Sequence, residues 1–137
     1  MAQTASGDTN AGEPYKDMES DIHLNGTSVW VEGALLRLGA PDIVTLASNV
    51  ATITSGFVSL AAESGTTDQL DTLTLAGAVE GDFVLLIADV GDTITVDDAN
   101  IDLGAATRAV GPGGCIALRY DGTSWCEVFF LAGADNA

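Results

Sequence analysis

From residue 27 onward the chain is a series of short apolar runs, separated by glycine, acidic and hydroxyl residues. Val50-Ala51-Thr52-Ile53-Thr54 and Thr93-Ile94-Thr95-Val96 alternate apolar and hydroxyl side chains, the pattern of a strand with one face buried. Ile43 to Leu46 reads as a strand, with a turn at Ala47-Ser48-Asn49, and Phe57-Val58-Ser59-Leu60 follows Gly56 as another. Residues 61–69 read as a polar loop, and Leu70-Asp71-Thr72-Leu73-Thr74-Leu75 as one strand before a turn at Ala76-Gly77. Phe83-Val84-Leu85-Leu86-Ile87 is apolar at every position, which predicts a strand covered on both sides. Ile101-Asp102-Leu103 is a brief strand, and Gly111-Pro112-Gly113-Gly114 is the strongest breaker in the chain. Cys115 to Tyr120 and Trp125 to Leu131 form a hairpin, because Asp121-Gly122 supplies the backbone freedom of a tight turn and Tyr120 can pair with Trp125 across it. Ser28-Val29-Trp30-Val31-Glu32 also reads as a strand, whereas Ala34-Leu35-Leu36-Arg37-Leu38 fits either a strand or a single helical turn.

The sum is roughly eight to ten short strands, at the spacing of sandwiches and barrels. A glycine turn followed by an apolar-threonine strand recurs without an exact period, and this points to stacked β coils. The expected fold is therefore all-β: a compact sandwich-like, barrel-like or β-helix-like domain over residues 27–137. Residues 1–26 contrast with it. They are rich in Ala, Ser, Thr, Gly, Asp and Glu, carry Pro14 and show no sustained period, so an extended N-terminal arm is expected there.

Charge narrows the function. Twenty Asp and Glu face only Lys16, Arg37, Arg108 and Arg119, a net −16. Nucleic-acid binding rests on cations that neutralise phosphates, so neither it nor attachment to an anionic membrane is expected. No stretch has the basic, apolar and cleavage regions of a secretory signal, and no apolar run reaches the ~20 residues of a spanning helix. The expected place of synthesis is a reducing cytoplasm. In the hairpin, Cys126 is expected opposite Arg119 and Cys115 opposite Phe130, too far apart to join, so both thiols are expected free.

Chemistry is sparse. His23 is the sole histidine, the cysteines lack the close spacing of a zinc site, and no Gly-x-Ser-x-Gly elbow is present. Asp97-Asp98-Ala99-Asn100-Ile101-Asp102 offers hard oxygen ligands without the spacing of a calcium loop, and reads as a solvated acidic turn. Asn25-Gly26-Thr27 matches a glycosylation sequon and reads as a turn. No catalytic residue, cofactor or metal is expected.

From about Val44 to Phe130 the chain resembles a β-rich module of tailed-phage structural proteins, found in head decoration (cement) proteins and fibres. The resemblance lies in Leu70-Asp71-Thr72-Leu73, Gly81-Asp82-Phe83-Val84-Leu85-Leu86, Asp92-Thr93-Ile94-Thr95-Val96 and Asn100-Ile101-Asp102-Leu103. It ends in Leu118-Arg119-Tyr120-Asp121-Gly122-Thr123-Ser124-Trp125-Cys126-Glu127. It implies a homotrimeric virion protein on the surface of a bacteriophage capsid, made in the host cytoplasm, whose partners are its own copies and the major capsid protein. Tyr120, Asp121, Gly122 and Trp125 are then structural hairpin residues. The arm is expected to grip the shell, with Tyr15, Ile22, His23 and Leu24 as candidate contacts. The alternative is a tail- or head-fibre module that binds host surface glycans.

Overall fold

The computed structural model describes residues 32–133. The chain divides into two units, Met1–Leu36 and Arg37–Ala137. Of the first, residues 32–36 are described and form no regular element. The expected arm, the strand over residues 28–31 and the four candidate capsid contacts Tyr15, Ile22, His23 and Leu24 lie outside the described residues.

The second unit is built of eleven strands among the described residues, with no helix. They are β1 (Asp42–Thr45), β2 (Val50–Ile53), β3 (Phe57–Ala61), β4 (Thr67–Leu70), β5 (Thr72–Leu75), β6 (Phe83–Ala88), β7 (Thr93–Val96), β8 (Ile101–Asp102), β9 (Arg108–Val110), β10 (Cys115–Tyr120) and β11 (Trp125–Leu131). The chain is thus all-β, and its first seven strands stack as parallel coils. β1 pairs with β3 and β3 with β6, β2 pairs with β5, and β4 pairs with β7, all parallel. The last strands close this stack in the opposite sense. β9 runs antiparallel on β7, β10 antiparallel on β6, and β11 antiparallel on β10. The largest sheet has the order β1-β3-β6-β10-β11-β8.

Side chains turned inward from all three sheets form a single aliphatic core. Val58, Leu60, Leu86, Ile116 and Leu118 come from the six-stranded sheet, Ala51, Ile53 and Leu73 from β2 and β5, and Leu70, Ile94, Val96 and Val110 from the third sheet. Each buried Leu or Ile contributes about 1.5–3 kcal/mol relative to exposure. Trp125 is the one aromatic among the largest fully buried side chains, with the Tyr120 ring 5.0 Å away.

Three local devices hold the coils. Ser48 and Asn49 both adopt positive φ, 52° and 66°, which turns the chain tightly between Ala47 and Val50. Asn100 bonds to a backbone with its side chain: its amide donates to the Leu73 carbonyl (2.8 Å) and its oxygen accepts from the Leu73 N–H (3.0 Å). Gly114 allows the chain to pass against the backbone of Leu131 and Ala132, where any added Cβ would collide.

The structure departs from the sequence expectations in four places. Residues 34–38 form neither strand nor helix. The expected loop over residues 61–69 contains β4, and the expected single strand over residues 70–75 is broken at Asp71, where the chain turns a corner between β4 and β5. β9 is an additional strand. Finally, a β-bulge in the hairpin pairs Cys115 with Leu131 instead of Phe130. One extra residue in β11 shifts the register between Ala117 and Leu118.

Candidate functional site

The most distinctive surface of the second unit is the outer face of its six-stranded sheet. Successive side chains of a strand point to opposite faces, so the register fixes what lies outside. One outer row runs Phe57, Leu85, Ala117, Phe129 across β3, β6, β10 and β11. A second contains Ile43, Ser59 and Ile87, with Cys115 beside Leu131 further along. The third runs Phe83, Arg119, Cys126, Asp102. Most of this surface is apolar, and much of it meets solvent: Ile43 is 67% exposed, Leu131 57%, Phe83 53% and Phe129 49%. The cover expected on both sides of β6 is therefore present on one side only. Val84 and Leu86 are buried, whereas Phe83 is exposed and Leu85 and Ile87 are half-buried.

At the β1–β3–β6 side this face dips into an open groove of about 270 Å³, with Leu38, Ala40, Phe57, Phe83 and Leu85 in its walls and Asp42 at its rim. At the other side β11 carries the exposed Phe129. Arg119 lies between them and forms no ion pair among the described residues, where the sole salt bridge joins Arg108 to Glu127.

That salt bridge belongs to the inner side of β11. The Arg108 Nε donates to Glu127 Oε2 at 2.7 Å, and its guanidinium carbon lies 4.9 Å from the centre of the Phe130 ring. The Glu127 carboxylate also accepts from the Gly104 N–H. Arg108, opposed by burial and helped by the Gly104 N–H, holds the Glu127 carboxyl below its ordinary range.

The hairpin residues lie together. Tyr120 pairs with Trp125, and Gly122 takes φ 100° in the turn. Asp121 Oδ1 accepts from the N–H groups of Thr123 and Ser124, both at 2.8 Å, and Ser124 and then Thr123 lower its pKa. Cys126, facing outward beside Arg119, has its thiol pKa raised first by burial and then by its hydrogen bond to Asp121, so it stays protonated at neutral pH. Cys115 and Cys126 are both free thiols.

The acidic stretch after β7 is tied up in the wall of the stack. Gln69 Nε2 donates to Asp71 Oδ1 (2.6 Å) and to Asp97 Oδ2 (3.3 Å), and Asp97 also accepts from the Asp98 N–H (2.7 Å). The amides of Gln69 and then Asn49 keep the Asp71 carboxyl below its usual range. Among the described residues no three His, Cys, Asp or Glu side chains are grouped so as to hold a metal ion.

Sequence reasoning identified the hairpin from its turn residues but did not identify the outer face as a surface. Its signal was present in the unbroken apolar run of β6; what was missing was that the single chain leaves one side of that run uncovered. No protein-family profile matches the chain, and no curated protein matches it.

Proposed function

We propose that the chain is a structural, non-catalytic virion protein that works as a homotrimer and decorates a phage capsid. The observation that carries self-association is the outer sheet face: several large apolar side chains lie open on a chain of net charge −16. Exposed apolar area of this kind marks a surface that another molecule covers. The capsid setting is supported by the resemblance of residues 44–130 to decoration and fibre modules. In this role the trimer sits on a three-fold or quasi-three-fold position of the shell, where three equal contacts act together and strengthen attachment. The N-terminal arm supplies the grip, and the β domain supplies the trimer.

Like-charged subunits repel, and salt screens that repulsion over about 8–10 Å, so assembly strengthens as ionic strength rises. Sedimentation across a salt series tests this, and a monomer at every ionic strength ends the trimer reading. Co-sedimentation with mature capsids tests the role. Deleting residues 2–25 leaves the oligomer intact and abolishes capsid binding; undiminished binding moves the contact to the β domain. Attachment to host cells in place of capsids would make the protein a fibre module.

A further inference from the structure

We propose that copies of this chain join knob-into-groove on the outer sheet face. Phe129 of one copy enters the groove walled by Leu38, Phe57, Phe83 and Leu85 of the next. This rests on the homo-oligomer reading and names the surface through which it is achieved.

The groove and the exposed phenyl ring lie on the same face, but in different places. Phe57 at the groove and Phe129 are linked through Leu85 and Ala117, three strand spacings or about 14 Å apart. A chain that carries its donor and acceptor at separate sites joins head to tail, and closes into a ring when the rotation per step allows. Three copies around one axis then use three identical junctions and leave neither a knob nor a groove unfilled.

Charge identifies the occupant as a second copy. The groove rim carries the exposed carboxylate of Asp42, and the half of the face next to Phe129 carries the guanidinium of Arg119. Neither forms an ion pair among the described residues. The junction brings the two halves together, so a cation on one copy meets an anion on the other, on a chain where acids outnumber cations twenty to four. Asp121, also close to Arg119, is already engaged by the N–H groups of Thr123 and Ser124. Ala117, fully buried between Leu85 and Phe129, keeps the middle of the face low enough for two copies to approach.

The test uses the full-length chain and two single variants, Phe129→Asp and Leu38→Asp. Both positions are exposed, and circular dichroism with thermal unfolding verifies that the variants fold. Sedimentation velocity at one fixed salt concentration then reads the mass. The expected result is a trimer for the parent and folded monomers for both variants, with dissociation constants raised about thirtyfold or more, as for a central aromatic anchor. Mixing the two variants restores a 1:1 pair, because the intact Phe129 of Leu38→Asp fits the intact groove of Phe129→Asp. A trimeric parent whose variants stay trimeric would overturn the proposal and leave the homotrimer standing. Monomeric variants that fail to pair on mixing would show that the knob does not enter this groove. A parent that is monomeric at every salt concentration would defeat the homo-oligomer reading itself. If that monomer also lost capsid binding through Phe129→Asp, the occupant would be the shell protein.

Discussion

The two faces of the six-stranded sheet are made of similar residues on the same strands, yet they are satisfied in different ways. Inward, Val58, Leu86 and Ile116 lie side by side and are fully buried by the other two sheets. Outward, one residue away along each strand, Phe57, Leu85 and Ala117 form an equally apolar row with no layer above it. The inner face is covered within the chain, so it determines whether the chain folds. The outer face is left to a partner, so it determines what the folded chain does. Apolar composition alone does not distinguish these fates; the layer that lies opposite does.

The sharpest way to break this comparison is to truncate neighbouring leucines of β6. Leu86→Ala opens a cavity in the core and is expected to lower unfolding free energy by about 2–5 kcal/mol in urea denaturation. Leu85→Ala, one position away, should cost under about 1.5 kcal/mol under conditions that keep the chain monomeric, and should instead weaken assembly. Equal losses of monomer stability would mean that the outer face is covered by the chain itself. A smaller effect is expected from Asn100→Ala, which removes two hydrogen bonds to Leu73 and leaves that backbone unsatisfied at a stack edge. About 1–3 kcal/mol should be lost, with assembly unchanged.

The smallest effect concerns the inner rim of β11. Glu127 has a folded-state pKa below its ordinary 4.5, chiefly through Arg108. Its contribution to stability is therefore complete above about pH 4.5 and fades as pH falls through the lowered folded-state value. Glu127→Gln should flatten the acid limb of the stability profile in that window, while leaving the oligomer at neutral pH unaltered. A profile unchanged by the substitution would show that other carboxylates set the acid limb.

The sequence was most informative where structure is local. The bounds of β10 and β11 follow from the Asp121-Gly122 turn and the flanking apolar runs, and the alternation in Thr93-Ile94-Thr95-Val96 marks β7. It was least informative where strands pair with distant ones. β4 reads as a loop because Thr67, Asp68 and Gln69 are polar; it is a strand because its backbone bonds to β7, and only Leu70 enters the core. The stacked coils show no exact period because their steps differ. Val50 meets Thr72, 22 positions on, Thr67 meets Thr93 after 26, and Phe57 meets Leu85 after 28. Each coil absorbs the difference in its loops, which no fixed-period comparison detects. The outer face was legible as residues and illegible as a surface, since exposure depends on which layer is missing.

The irregularity in β11 has a consequence for how this strand can vary. Up to Glu127 its odd-numbered residues point inward; beyond it Phe130 does, so the extra residue resets the frame. It is this reset that lets Glu127 and Phe130 both reach Arg108, and turns Phe129 and Leu131 toward solvent. Deleting one residue there would shorten the strand by little over 3 Å but exchange the two sides of everything downstream. Single-residue gains or losses that the surface loops would absorb are thus forbidden at this one point of the chain.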